Sequence, residues 1–163
     1  MSLNQTEEGF EIMGYRSDVV VAMQFDDLKH LRTFLAKCKL LGDAYLNEAV
    51  GMYSYSRRQG APTYPPCIVM FMTLDGVKWY EGYPDTNAHH QLRRLAWEAN
   101  ASSILIRLGE EHDDTEWDIN VPMHKENGCV LAELFSIDRK LYIEVDPDET
   151  VTLDELEKHY ESE

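Results

Sequence analysis

The chain has 163 residues, 44% of them hydrophobic, enough for one domain with a core of its own. Thirty acidic residues against fifteen basic ones give a formal net charge of −15, which argues against binding to nucleic-acid backbones or anionic membranes and favours partners with basic surfaces. No apolar run approaches bilayer-spanning length and no basic-then-apolar leader opens the chain, so the expected compartment is the cytoplasm.

Residues 1–12 (MSLNQTEEGFEI) are polar without a period and are expected to form a flexible N-terminal extension. Residues 19–25 are apolar on both faces, the pattern of a central strand. Arg16 and Asp18 stand at its mouth, either as a local ion pair or as the rim of a pocket. Asp26-Asp27 caps a helix to about Leu41, with Leu28, Leu31, Leu35 and Cys38 inward and Lys29, Arg32, Lys37 and Lys39 outward. Asp43 opens a shorter helix, 52–56 fits helix or strand equally, and 57–66 is a loop rich in Pro and Gly.

Residues 67–74 and 77–80 flank Asp75-Gly76, a pair that tolerates positive φ, and predict a hairpin. Asp85 or Thr86 caps the next helix, which buries Ala88, Leu92, Leu95, Ala96 and Ala99 and turns Gln91, Arg93, Arg94 and Glu98 elsewhere. Asn100 suits a left-handed helix end; 104–108 is a short buried strand, and 116–121 alternates like a half-buried one. Residues 130–137 and 140–145 predict a second hairpin about Asp138-Arg139. Thr152 with Glu155 is a capping-box pattern that starts a short helix within the acidic C-terminal segment, 147–163. Together these elements predict a single α+β domain over 13–146, a mostly antiparallel sheet with two main helices packed on it.

The densest chemistry is acidic. Between Gly109 and Asp118 the chain sets Glu110, Glu111, Asp113, Asp114, Glu116 and Asp118 with no Lys or Arg among them. Such a block is ordinarily a solvated turn, because carboxylates this close repel and are expensive to desolvate. Its sharper reading is a binding surface for a basic protein partner, with Arg16, Trp79 and Tyr83 as neighbouring contacts. The alternative is a hard metal ion on His112, Asp113 and Asp114 in a metal-dependent hydrolase or phosphoesterase, with His89, His90 or His124 near it. No metal-ligand spacing, GxSxG, P-loop, GxGxxG or HExxH is present, so no catalytic residue and no cofactor is assigned. Cys38, Cys67 and Cys129 lie in apolar stretches without CxxC spacing and are expected to be reduced core thiols.

The opening Met13-Gly14-Tyr15-Arg16-Ser17-Asp18-Val19, with 78–85 (KWYEGYPD) and 106–114 (IRLGEEHDD), resembles a family of small uncharacterised proteins encoded by tailed bacteriophages. The resemblance covers most of 13–145 and carries no activity and no catalytic residues. It implies an accessory protein acting in the cytoplasm of an infected bacterium. With the net charge it leads to the expectation of a non-enzymatic acidic module that binds a host or phage protein, in one variant as a DNA mimic. A C2 homodimer is expected on base rates.

Overall fold

Residues 17–25 form the longest doubly buried strand because nearly every side chain is apolar and neither face can be left to water. Around it, the computed structural model describes residues 15–39, 50–54, 67–111, 113–123, 125, 128–138 and 140–161. Strand β1 (Ser17–Phe25) is followed by helix α1 (Leu28–Lys39), strands β2 (Val50–Ser54) and β3 (Ile68–Val77), helix α2 (Pro84–Glu98), and strands β4 (Ser102–Leu108) and β5 (Thr115–Asn120). These strands make one sheet in the order β2-β3-β1-β4-β5, every neighbouring pair antiparallel. β1 and β2 therefore run the same way on either side of β3, and β3 and β4 the same way on either side of β1, each pair joined through a helix. Two interlocked split βαβ units of this kind are the ferredoxin-like arrangement, here with β5 added outside β4. The α+β sheet-and-helix architecture expected from the sequence is the one found.

Alternation along β1 sends its side chains to two cores. Val19, Val21, Met23 and Phe25 meet Leu28, Leu31, Phe34 and Cys38 of α1 and Leu92, Leu95 and Ala96 of α2. On the other side Val20 and Ala22, with Val69, Ile104 and Ile106, meet a third layer. That layer is a one-turn helix α3 (Leu131–Leu134) leading into the hairpin of β6 (Phe135–Ile137) and β7 (Leu141–Ile143). Gln24 is buried between the layers, where its amide donates to Gly128 O at 2.6 Å and accepts from the Val130 N–H at 2.8 Å. Helix α4 (Leu153–Glu161) docks Leu156 into the helix-side core. At its start the Glu155 N–H donates to the Thr152 hydroxyl at 3.2 Å, as expected, but the Glu155 carboxylate accepts from that hydroxyl at 3.2 Å instead of from the Thr152 N–H.

Several local expectations change. Asp75-Gly76 is not a hairpin turn: β3 runs straight through it, and the register jumps from Val19↔Leu74 to Ser17↔Val77. Gly76 has the positive φ, +61°, that the pair suggested, but uses it in a bulge. The main-chain polar groups there are held from β1, the Gly76 N–H donating to Asp18 at 2.8 Å and its carbonyl accepting from Arg16 at 3.1 Å. Arg16 and Asp18 thus grip the bulge instead of each other. α2 begins with Pro84 as its first helical residue and Tyr83 as N-cap, with no side-chain cap from Thr86. Phe34 joins the inward face of α1 beside a partly buried Leu35, and Arg93 is buried. Residues 50–54 are a strand; the extension at 1–12, the helix at Asp43 and the loop at 57–66 lie outside the described residues.

Candidate functional site

One end of the sheet collects the start of β1, the end of β4, the start of β5, the segment that follows β3 and the first turn of α2. At its centre is Arg107, the one cation in the apolar run of β4, opposite Glu116 in the register with β5. A guanidinium this enclosed needs acceptors, and four contacts supply them. Its Nε donates to Glu116 at 3.1 Å, Nη1 to Ser17 Oγ at 3.1 Å and Asp114 Oδ2 at 3.2 Å, and Nη2 to Asp114 Oδ1 at 2.8 Å.

The turn that brings Asp114 back is held by the Gly109 N–H on Asp114 O at 2.8 Å and by the Glu111 N–H on Tyr15 Oη at 3.0 Å. A side chain at Gly109 would run into the Asp114 carboxylate and the Tyr15 ring and hydroxyl, so the turn needs glycine for space. The Arg107 guanidinium, then the Tyr15 hydroxyl, hold the Asp114 carboxyl below the usual carboxylate range against a smaller effect of burial. Hydrogen bonds to Asp114 likewise keep Arg107 protonated above its ordinary value. At Tyr15 the Glu111 N–H pulls the hydroxyl down, but burial and Asp114 outweigh it and the phenol ionises above its ordinary range.

Arg93 of α2 forms a second such centre on the same face of the sheet. It donates to Ser103 Oγ at 3.0 Å, to the Asp118 carboxylate at 2.7 Å and to the Asp118 carbonyl at 3.2 Å. The two arginines explain how an acidic strand folds against the helices: each carboxylate of β5 on this face has a guanidinium from a neighbouring element.

The acidic residues singled out from the sequence therefore divide. Asp114, Glu116 and Asp118 are engaged by Arg107 and Arg93; Glu111 and Asp113 are exposed, and Glu110 accepts from the Arg16 N–H at 3.2 Å. Trp79 lies 5.8 Å from both the His89 and His90 rings, the first histidine buried and the second exposed, while Tyr83 packs edge-on against Tyr80. Trp79, Asp114 and Glu116 border one cleft of about 560 Å³; Arg16, Tyr83 and Asp118 do not. His112 and His124 lie outside the described residues, and among the described residues no three His, Cys, Asp or Glu side chains are grouped to hold a metal ion.

The cleft also takes in residues that the sequence reading passed over: Arg107, Tyr15, Ser17 and Thr86. Arg107 was detectable, as a lone charge in a buried strand beside an unpaired acidic block. Thr86 was not, because nothing in the sequence shows that its hydroxyl, buried in the first turn of α2, has no hydrogen-bond partner among the described residues.

β5 closes the sheet on one side. Glu116 and Asp118 face the helix layer; Trp117 and Ile119 face the other way, opposite Ile106 and Ile104. Trp117 is 49% exposed, a large apolar side chain on a strand that has no outer neighbour among the described residues. No protein-family model, curated protein or solved structure matches the chain. Among the described residues no helix is long and apolar enough to cross a membrane.

Proposed function

We propose that the chain is a non-enzymatic protein-binding module that holds an extended basic segment of a partner protein along the edge of β5, as a phage-type accessory protein in an infected bacterial cytoplasm. What supports this is the edge itself: a strand side unpaired among the described residues and carrying an exposed Trp117, in a corner where six carboxylates outnumber the guanidiniums of Arg93 and Arg107. An added strand gains main-chain hydrogen bonds from such an edge, and its alternate side chains set specificity. The fitting pattern is Lys or Arg toward Glu116 and Asp118, alternating with apolar residues toward Trp117 and Ile119.

A second copy of the chain fits this edge poorly. In an antiparallel pairing of β5 with itself, opposed side chains share a face, so any register that pairs most of the strand sets carboxylate against carboxylate. A homodimer would have to use another surface.

The test is titration with a synthetic peptide of alternating Lys and Val, followed by calorimetry and tryptophan emission. Binding should weaken steeply with salt and fall by about tenfold or more in Trp117→Ala, as loss of an aromatic anchor implies. Equal binding by the same peptide with Pro at alternate positions, which cannot pair as a strand, would refute edge addition.

A further inference from the structure

The cleft beside Arg107 adjoins the β5 edge and shares Glu116 with it, and its two walls have opposite electrostatic preference. One wall is the first turn of α2. Its N-cap residue offers no side-chain hydrogen bond, Pro84 follows, and the backbone N–H groups of Asp85 and Thr86 precede the first intrahelical bond, from Asn87 N–H to Tyr83 O at 2.9 Å. N–H groups without an intrahelical partner at the positive end of a fifteen-residue helix favour an anion. On the same turn Thr86, only 3% exposed, carries a hydroxyl with no hydrogen-bond partner among the described residues. A buried hydroxyl left unpaired is unfavourable, and Thr86 lines the cleft.

The other wall is acidic. Both oxygens of Asp114 are occupied by Arg107, but Glu116 gives that arginine only one oxygen, and Glu81 is exposed at the mouth. Between the walls lie the rings of Trp79 and Tyr80. A simple anion satisfies α2 and is repelled by Glu81 and Glu116; a simple cation does the reverse and leaves Thr86 unpaired.

We infer that this cleft binds a small zwitterion, a free amino acid, with its carboxylate on the first turn of α2 and the Thr86 hydroxyl, its ammonium on Glu116 and Glu81, and its side chain against Trp79. A volume of about 560 Å³ accommodates such a molecule. The inference does not depend on the protein-binding reading.

The test is calorimetry of the full chain with the twenty free L-amino acids. For the tightest binder, its des-amino acid and its decarboxylated amine follow, with inorganic phosphate as a simple anion. At least one amino acid should bind at millimolar or tighter affinity, and each analogue lacking one charge should bind about tenfold more weakly or worse. No binding by any amino acid up to about 10 mM, or equal binding by an analogue or by phosphate, overturns the inference. Thr86→Val keeps the side-chain shape and removes the unpaired hydroxyl. It should leave the melting temperature of the free protein unchanged or higher while affinity falls about tenfold. Thr86→Ser, which keeps the hydroxyl, should bind within a few-fold of the parent. Unchanged affinity in Thr86→Val, or loss in Thr86→Ser, equally overturns it.

Discussion

Gly109 has no special backbone angle, yet it is the residue on which the acidic turn depends. A methyl group there would displace the Asp114 carboxylate and Tyr15 together, so Gly109→Ala should destabilise the protein by about 1–3 kcal/mol, as overpacking does. Urea denaturation measures that loss, and the tyrosine near-ultraviolet signal should change with it. The cysteines make the opposite prediction, of silence. Burial raises Cys38 to about 11, and burial first, then nearby Asp26, raises Cys67 to about 12, so neither presents thiolate at neutral pH. An aromatic disulfide reagent should therefore react with neither Cys38 nor Cys67 until denaturant is added, and peptide mapping of the labelled sites checks this.

At the level of elements, periodicity revealed what lay where and local chemistry sometimes misled. The double-sided apolar run of β1, the inward stripe of α2 and the left-handed Asn100, with φ of +60°, were all legible. The bulge was not. Asp-Gly announces positive φ equally in a turn and in a bulge, and only the strand beside it, through Arg16 and Asp18, decides which. Arg93 was misplaced for a related reason: helical spacing shows that a residue flanks the apolar stripe but not that Ser103 and Asp118 wait there to satisfy it. Half of the candidate site was visible as an acidic block and half was hidden, because Arg107 folds back onto Asp114 and Glu116 and converts that block from a solvated turn into the wall of a cleft. The cap of α1 was read correctly, and it makes an element-level prediction. Asp27 accepts from the His30 N–H at 2.9 Å, so Asp27→Ala should cost about 1 kcal/mol, with Asp27→Asn recovering most of it in thermal denaturation.

For the whole molecule the titrating groups bracket a plateau of stability. Asp114 is held low by Arg107; at Asp27 burial pulls upward, and the N–H and ring of His30 more than reverse it. Carboxylates with folded values below the unfolded one stabilise fully above about pH 4 and lose that contribution as pH falls through the folded values. The thiols of Cys38 and Cys67 have raised values, so theirs is complete below about pH 8.5 and is lost as pH rises toward the folded values. The urea midpoint should accordingly be flat, as far as these groups go, from about pH 5 to 8 and fall on both sides. A midpoint that rose steadily from pH 8 to 5 would mean that other carboxylates, with folded values above their unfolded ones, dominate.

The position of β1 has a consequence in time. Val21 lies opposite Met72 on one side and Leu105 on the other, so the first strand of the sheet to be synthesised is completed only when β4 has left the ribosome. Until then a nascent chain carries a segment apolar on both faces with at least one edge open, the kind of surface that chaperones shield and aggregates recruit. The strand made first therefore waits longest for its second neighbour.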